Sequence, residues 1–179
     1  MPRPGPGIFV MKILIEEKEI LERIGELADE ISRDYESVAA VIVLKGAKMF
    51  ADKLLPELRK RGVEAEEFSI RVSSYGDGTE SSGNIKVFEG IDGNTRGKDI
   101  LIIEDIVDTG LTIDFLIKYF LEKGAKSVKI CALANKPARR KVAIGIDYFG
   151  FEVPDKFLIG FGMDFQEGYR NLPYIAIVD

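Results

Sequence analysis

A chain of 179 residues with a net charge of −5 is long enough to bury a substantial core and too acidic to read as a general nucleic-acid binder. It has no histidine and a single cysteine, Cys131, which excludes histidine triads, imidazole bases, histidine metal ligands and any disulfide within the chain. Acid–base work then falls to Asp, Glu, Lys or Tyr, any metal must be a hard ion held by oxygen, and the absence of an apolar run of ~18 residues points to a cytoplasmic protein without a membrane partner.

Met1 to Gly7 is rich in Pro and Gly, and residues 1–10 are expected to be flexible; the apolar patch Ile8 to Met11 is too short for a signal-peptide core. Ile20, Leu21, Ile24, Leu27, Ala28 and Ile31 recur at helical spacing and predict an amphipathic helix over Glu16 to Arg33. Val38 to Leu44 reads as a buried strand. The turn Lys45-Gly46-Ala47-Lys48 leads into a helix from Met49 to Arg61, which Pro56 should kink or divide. Val63 to Ser74 reads as a strand. Ser73 to Gly83 has almost nothing to bury and is mobile by composition. Asn84 to Phe88 is a further strand, and the turn Asp92-Gly93-Asn94 should fold it as a hairpin onto the next one.

That next strand is the apolar run Ile100 to Ile103, which ends on Glu104 and Asp105. A small polar loop, Asp108-Thr109-Gly110, precedes a helix carried by Ile113, Leu116, Ile117, Phe120 and Leu121 to a Gly124 cap. Ser127 to Ala134 is a strand that holds Cys131 as a small core residue. A basic loop, Asn135 to Lys141, follows, then short strands at Ile146 to Val153, Phe157 to Phe161 and Pro173 to Val178. Strand–helix units repeated three times predict an α/β fold: an open, mostly parallel sheet flanked by helices, with ligands at the carboxyl ends of its strands. The tail lacks helical periodicity and predicts a small β-rich hood over about 145–172 of a single domain, 1–179.

The chemistry concentrates in Lys98 to Thr112, KDILIIEDIVDTGLT. A loop between a strand and a helix offers backbone N–H groups, threonine hydroxyls and the positive end of a helix dipole, which suit a phosphate. Carboxylates beside an anion site would repel it unless they hold the hydroxyls of an attached sugar or a divalent metal that the phosphates share. Both arrangements point to a sugar phosphate with Mg2+. A Walker loop needs a second Gly and a Lys that are missing here, and the dinucleotide fingerprint is also absent.

Glu104 to Thr112, EDIVDTGLT, resembles the ribose-phosphate motif of the phosphoribosyltransferases, which use phosphoribosyl pyrophosphate. Further segments narrow the resemblance to the hypoxanthine-guanine phosphoribosyltransferases. Leu44 to Ala47, LKGA, resembles their pyrophosphate loop, and Ser74 to Gly83, SYGDGTESSG, their flexible catalytic loop. KPARRKV from Lys136, then DYFGFEVPDKFLIGFGMD, then EGYRNLPY to Tyr174 are similar to their purine-binding half.

The resemblance implies a role for each matched residue. Thr109, Gly110, Leu111 and Thr112 would cradle the 5′-phosphate. Glu104 and Asp105 would take the ribose hydroxyls, directly or through Mg2+. Asp108 would accept or share the N7 proton of the purine as N9 attacks C1′. Lys45, Gly46 and Arg170 would bind pyrophosphate, and relatives often carry a cis bond at the step matching Leu44–Lys45. Lys136 would donate to the 6-oxo group, Phe157 would stack on the base and Leu158 would offer backbone contacts. Asp164 would lie near the base and a second metal, making Glu104, Asp105 and Asp164 the metal candidates. Ser74 and Tyr75 would open a lid that keeps water from an oxocarbenium-like sugar.

The implied activity is purine salvage: hypoxanthine or guanine and phosphoribosyl pyrophosphate give IMP or GMP and pyrophosphate, in a homodimer or homotetramer. A preference for xanthine is the alternative within enzymes. A regulator that senses phosphoribosyl pyrophosphate and binds nucleic acid is disfavoured by the acidic balance. The chain departs from the pattern at Asn135, where bacterial relatives often carry Asp, and at Leu158, where Val is usual.

Overall fold

The stretches SVAAVIV and DILIIEDIV contain the unbroken apolar runs VAAVIV and ILII, which can be satisfied only inside a sheet with both faces covered. They form β2 (Ser37–Val43) and β5 (Asp99–Val107), adjacent and parallel at the centre of a six-stranded sheet. The computed structural model describes residues 10–75, 84–91 and 94–178. Its other elements are β1 (Met11–Ile15), α1 (Glu17–Asp34), α2 (Lys48–Lys60), β3 (Glu64–Tyr75), β4 (Asn84–Glu89), α3 (Leu111–Glu122), β6 (Ser127–Asn135), β7 (Tyr148–Glu152), β8 (Phe157–Ile159) and β9 (Ile175–Val178).

The sheet runs β4-β3-β2-β5-β6-β7 and is parallel except for β4, so the expected open α/β architecture is present. On one face, Ile20, Ile24, Leu27 and Ile31 of α1 and Phe50, Leu54 and Leu58 of α2 pack on Ala40, Ile42, Leu101 and Ile103. On the other, Ile113, Leu116 and Phe120 of α3 cover Val41, Ile100, Ile102 and Ile130. Alternate side chains of one strand thus enter different cores, as the period of two requires. Because β2, β5 and β6 run in one direction, Lys45, Glu104 to Asp108 and Lys136 all emerge at the same edge.

Several boundaries differ from expectation. Pro56 does not divide α2, which is continuous from Lys48 to Lys60. Pro56 and Asp52, whose carbonyl loses its helical donor, are both exposed, so water can satisfy that carbonyl. No hairpin joins β4 to β5: β4 pairs antiparallel with β3, and the apolar β5 lies between β2 and β6. Asp92 and Gly93 of the expected turn fall outside the described residues.

Of the predicted loop over 73–83, Ser73, Ser74 and Tyr75 extend β3 and pair with Lys86, Ile85 and Asn84. Residues 76–83, like 1–9, lie outside the described residues. The hood is also redrawn. Within 145–172, β7 joins the main sheet beside β6, while the separate three-stranded sheet β1-β9-β8 recruits strands from both ends of the chain. β1, which periodicity had no means to distinguish from a short apolar patch, acquires its structure from pairing with β9.

Phe120 is fully buried between α3 and the sheet and meets Tyr119 edge-on at 5.1 Å. Phe120→Ala is expected to lower the unfolding free energy by ~3–5 kcal/mol, read from urea unfolding.

Candidate active site

At the end of β5 the backbone must turn sharply into α3, and Gly110 does so at φ 85°, in the left-handed region where a side chain is strained. A side chain there would also be crowded: its Cβ would stand 3.0 Å from Arg140 Cδ and 3.0 Å from Ile144 Cδ1, and both would have to shift. Thr109 Oγ1 accepts from the Leu111 N–H at 3.4 Å, and the Thr109 carbonyl accepts from the Lys141 N–H at 2.8 Å. The result is a cleft of about 190 Å³ lined by residues 104–110 with Thr112 and Ile113. The first-turn amides of α3 and its positive dipole end meet this loop, the arrangement that favours a phosphate.

Glu104 and Asp105 form the floor. Asp105 Oδ1 accepts from the Ile106 N–H at 2.7 Å, and Glu104 Oε1 accepts from the Asp105 N–H at 3.1 Å. Burial, reinforced by the charge of Asp105, pushes the Glu104 carboxyl well above the ordinary range. Burial also raises Asp105, against the pull of its hydrogen bonds and of Arg170. A buried carboxyl and a half-buried one side by side, both with raised pKa values, form a site that a cation would relieve, so the donor set fits Mg2+.

Asp105 is held from the opposite side by the loop after β2. The Leu44–Lys45 bond is cis, in line with the family resemblance. A Cβ at Gly46 would stand 2.0 Å from Asp105 Oδ2, so only glycine lets the loop lie against the carboxylate. The carbonyl of Gly46 in turn sits 2.0 Å from where a Cβ on Gly162 would be.

Gly162 belongs to a turn in which Phe161, Gln166, Glu167 and Tyr169 all have positive φ. Such clustering marks a segment whose backbone is strained and held by its surroundings. Arg170 does much of that holding: Nη1 donates to the Gly162 carbonyl at 2.8 Å, and Nη2 pairs with Asp164 Oδ1 at 3.0 Å. Asp164 Oδ2 also accepts from the Glu167 N–H at 3.0 Å, and Lys45 Nζ lies 3.6 Å from Glu167.

On the β6 side, Lys136 is only 5% exposed, and its ammonium donates to the Lys156 carbonyl at 2.8 Å. Burial lowers its pKa, opposed by the charges of Asp108 and Asp155. Asp108 Oδ2 accepts from Arg139 Nη1 at 3.3 Å, while its Oδ1 is buried without a partner among the described residues. Phe157 is half-buried and meets Phe165 edge-on at 5.6 Å; Leu158, one residue on, points into the other core.

The structure therefore brings Lys45, Gly46, Glu104, Asp105, Asp108 and the 109–112 loop to one edge, with Lys136 beside Asp108 and the Asp164–Arg170 pair behind Gly46. It does not gather Glu104, Asp105 and Asp164 into one cage: among the described residues no three acidic side chains are grouped to hold a metal. Ser74 and Tyr75 lie in the β3 backbone, and the rest of the expected lid is outside the described residues. Residue-type reasoning passed over Gly162, Arg139 and Arg140. Only the basic run KPARRK signalled the arginines, and nothing local signalled Gly162.

Residues 12–166 match the model of the phosphoribosyl transferase domain. The chain belongs to the phosphoribosyl transferase family. It is 44% identical over 171 residues to a hypoxanthine-guanine phosphoribosyltransferase of Bacillus subtilis, covering 94% of this chain and 93% of that one. The enzyme of the same name from Aquifex aeolicus is 43% identical over 94% of this chain and 95% of its own length. The crystal structure of a hypoxanthine-guanine phosphoribosyltransferase from Bacillus anthracis superimposes with a TM-score of 0.88 at 41% identity, covering 94% of this chain and 98% of that one.

Two outcomes follow for this phosphoribosyltransferase. Gly46→Ala forces the loop after β2 away from Asp105, and displacements near 1 Å cost on the order of 10²-fold in rate; steady-state kinetics should show such a fall in kcat/KM with the fold intact by circular dichroism. The second concerns pH. The folded chain keeps protons on Glu104 and Asp105 where the unfolded chain has released them. Their contribution to stability is full below the ordinary carboxyl range and declines as pH rises through the raised folded values. Metal-free protein is expected to melt at a lower temperature at roughly pH 9 than at roughly pH 5, and Glu104→Gln should shrink that difference. An unchanged difference would mean that the pair does not carry it.

Proposed function

We propose that this phosphoribosyltransferase serves purine salvage in the cytoplasm, moving the 5-phosphoribosyl group from phosphoribosyl pyrophosphate to hypoxanthine or guanine and releasing pyrophosphate. The observation that carries this reading is the buried Lys136 ammonium beside the phosphate loop and Asp108. An anion cradle, a proton acceptor and a buried donor at one sheet edge match the three parts of a 6-oxopurine nucleotide. Relatives named for this activity, alike over nearly their whole length, support the same reading.

In this mechanism the N-terminus of α3 with Thr109, Gly110, Leu111 and Thr112 receives the 5′-phosphate and fixes the ribose above Glu104 and Asp105. Lys45, Gly46 and Arg170 receive the pyrophosphate. Lys136 donates to the purine O6, Phe157 stacks on the ring and the backbone at Leu158 closes its edge. Asp108 takes or shares the N7 proton as N9 attacks C1′, which keeps the purine from accumulating positive charge. Ser74 and Tyr75 lead into the segment that would exclude water from the reacting sugar.

Glu104 and Asp105 would hold Mg2+, with Asp164 contributing beside the pyrophosphate. Mg2+ commonly uses one or two carboxylates and completes its shell with water and substrate oxygens, so the lack of a three-carboxylate cage among the described residues suits a metal brought in with substrate. Bound there, Mg2+ supplies charge neutralisation for the leaving pyrophosphate. The assembly would be a homodimer or homotetramer that needs no nucleic acid. No helix among the described residues is long and apolar enough to cross a membrane.

Initial rates with hypoxanthine, guanine, xanthine and adenine, phosphoribosyl pyrophosphate and Mg2+ test the assignment. The first two should turn over, and adenine should fail because its 6-amino group meets a Lys136 donor with a donor. Lys136→Gln offers both donor and acceptor. It should weaken hypoxanthine by the ~1.5–3 kcal/mol of a hydrogen bond from a charged donor and narrow the ratio of kcat/KM values over adenine. Equal loss for both purines would remove Lys136 from the reading of the 6-position.

A further inference from the structure

The segment after Lys136 does more than line the site, because it packs directly on the phosphate loop. Arg140 lies across Gly110, and the Lys141 N–H is bonded to the Thr109 carbonyl at 2.8 Å. At its far end the Arg140 guanidinium donates through Nη2 to Asn135 Oδ1, at the end of β6 where Asn135 is in register with Val107. Asn135 is neutral, so this bond leaves the charge of Arg140 unbalanced.

The remaining nitrogen, Arg140 Nη1, is buried and has no hydrogen-bond partner among the described residues. Asp108 Oδ1 is in the same condition. Both groups flank the Gly110 turn: Arg140 Cδ lies 3.0 Å from where a Gly110 Cβ would stand, and Asp108 is two residues before that glycine; burial lowers the pKa of Arg140, and the charge of Asp108 opposes that lowering. The other Asp108 oxygen, Oδ2, takes a bond from Arg139 at 3.3 Å, and Arg139 Nε lies 4.0 Å from Asp155. The Asp108 side chain as a whole is 33% exposed although its Oδ1 is buried. Lys136 adds a third cation to the group around Asp108.

A buried donor and a buried acceptor without partners are rare, and each favours any small rotation or trapped water that joins them. We propose that Arg140 Nη1 and Asp108 Oδ1 are the two ends of one contact, direct or through a single water, and that Arg140 is thereby a positioning residue that presents Asp108 Oδ2 to the purine. Arg139 steadies the same carboxylate from the open side. The inference rests on the reading of Asp108 as the proton acceptor, and it adds Arg140 to the machinery of the transfer without any contact to the substrate.

A double-mutant cycle on the full chain tests it, with hypoxanthine and phosphoribosyl pyrophosphate as substrates and melting temperature as the folding control. Loss of general-base help typically costs ~10²–10⁴-fold, so Asp108→Asn should lower kcat by about that factor. Arg140→Gln should lower kcat by about tenfold or more with KM for phosphoribosyl pyrophosphate within about threefold, and should have almost no further effect in the Asp108→Asn background. Arg140→Lys, which keeps the charge, should recover part of the rate; it completes the same cycle if the Gln variant does not fold. Equal fold-losses from Arg140→Gln in both backgrounds, or a rise in KM for phosphoribosyl pyrophosphate with kcat kept, would show that Arg140 only packs on the phosphate loop and would overturn the inference alone. Unchanged kcat in Asp108→Asn would overturn the assignment of Asp108, and this inference with it.

Discussion

The close approach of Gly46 to Asp105 governs the rest of the site. A carboxylate at the end of β5 occupies the space where any other residue in the loop after β2 would carry a Cβ. The same loop leaves no space for a Cβ on Gly162, so the loop backbone meets the Asp105 carboxylate on one side and the hood backbone on the other. The Gly46–Gly162 contact is backbone on backbone, with no rotamer to change, and the Asp105 carboxylate is fixed by the bond it accepts from the Ile106 N–H. A sugar phosphate lying on Asp105 and a pyrophosphate lying on the Lys45-Gly46 loop would therefore be held at a set separation, which is the requirement for in-line displacement at the carbon between them.

Around that contact the fold accepts unfavourable electrostatics. Glu104 is buried against the half-buried Asp105, Lys136 is nearly buried, and Arg140 has a nitrogen without a partner among the described residues. Four non-glycine residues at positive φ sit in the hood turn that carries Asp164 and Arg170. Concentrated polar and backbone strain of this sort is a signature of a site organised for a ligand rather than for stability, and the two apolar cores on either face of the sheet offset it. Cys131 belongs to that supporting part: it is buried, burial pushes its thiol far up, and it has no role at the sheet edge.

The elements near the site were legible because their information is local. The run Ile100 to Ile103 followed by Glu104, Asp105 and Asp108-Thr109-Gly110 contains its own strand, turn and helix start, and each part constrains its neighbours. The amphipathic α1 and the apolar run from Val38 to Val43 in β2 were readable for the same reason. Pairing was not local. Whether β4 joins β3 or β5 depends on which strand can tolerate an edge, and β7 leaves the hood for the main sheet because β6 has an unpaired side to fill. β1 could not be seen at all, since its partner β9 lies at the opposite end of the chain.

Sequence alone therefore determined the class of fold and the strand, polar loop and helix start that carry Glu104, Asp105 and Asp108, since these follow from residue type and short-range spacing. Tertiary structure alone decided which of those groups meet. Gly162 against Gly46, Arg170 on Asp164, and two arginines around Asp108 join residues far apart in the chain. So does the burial that shifts Glu104, Asp105 and Lys136, for a side chain's dielectric surroundings are set by everything packed around it and by no feature of its own segment.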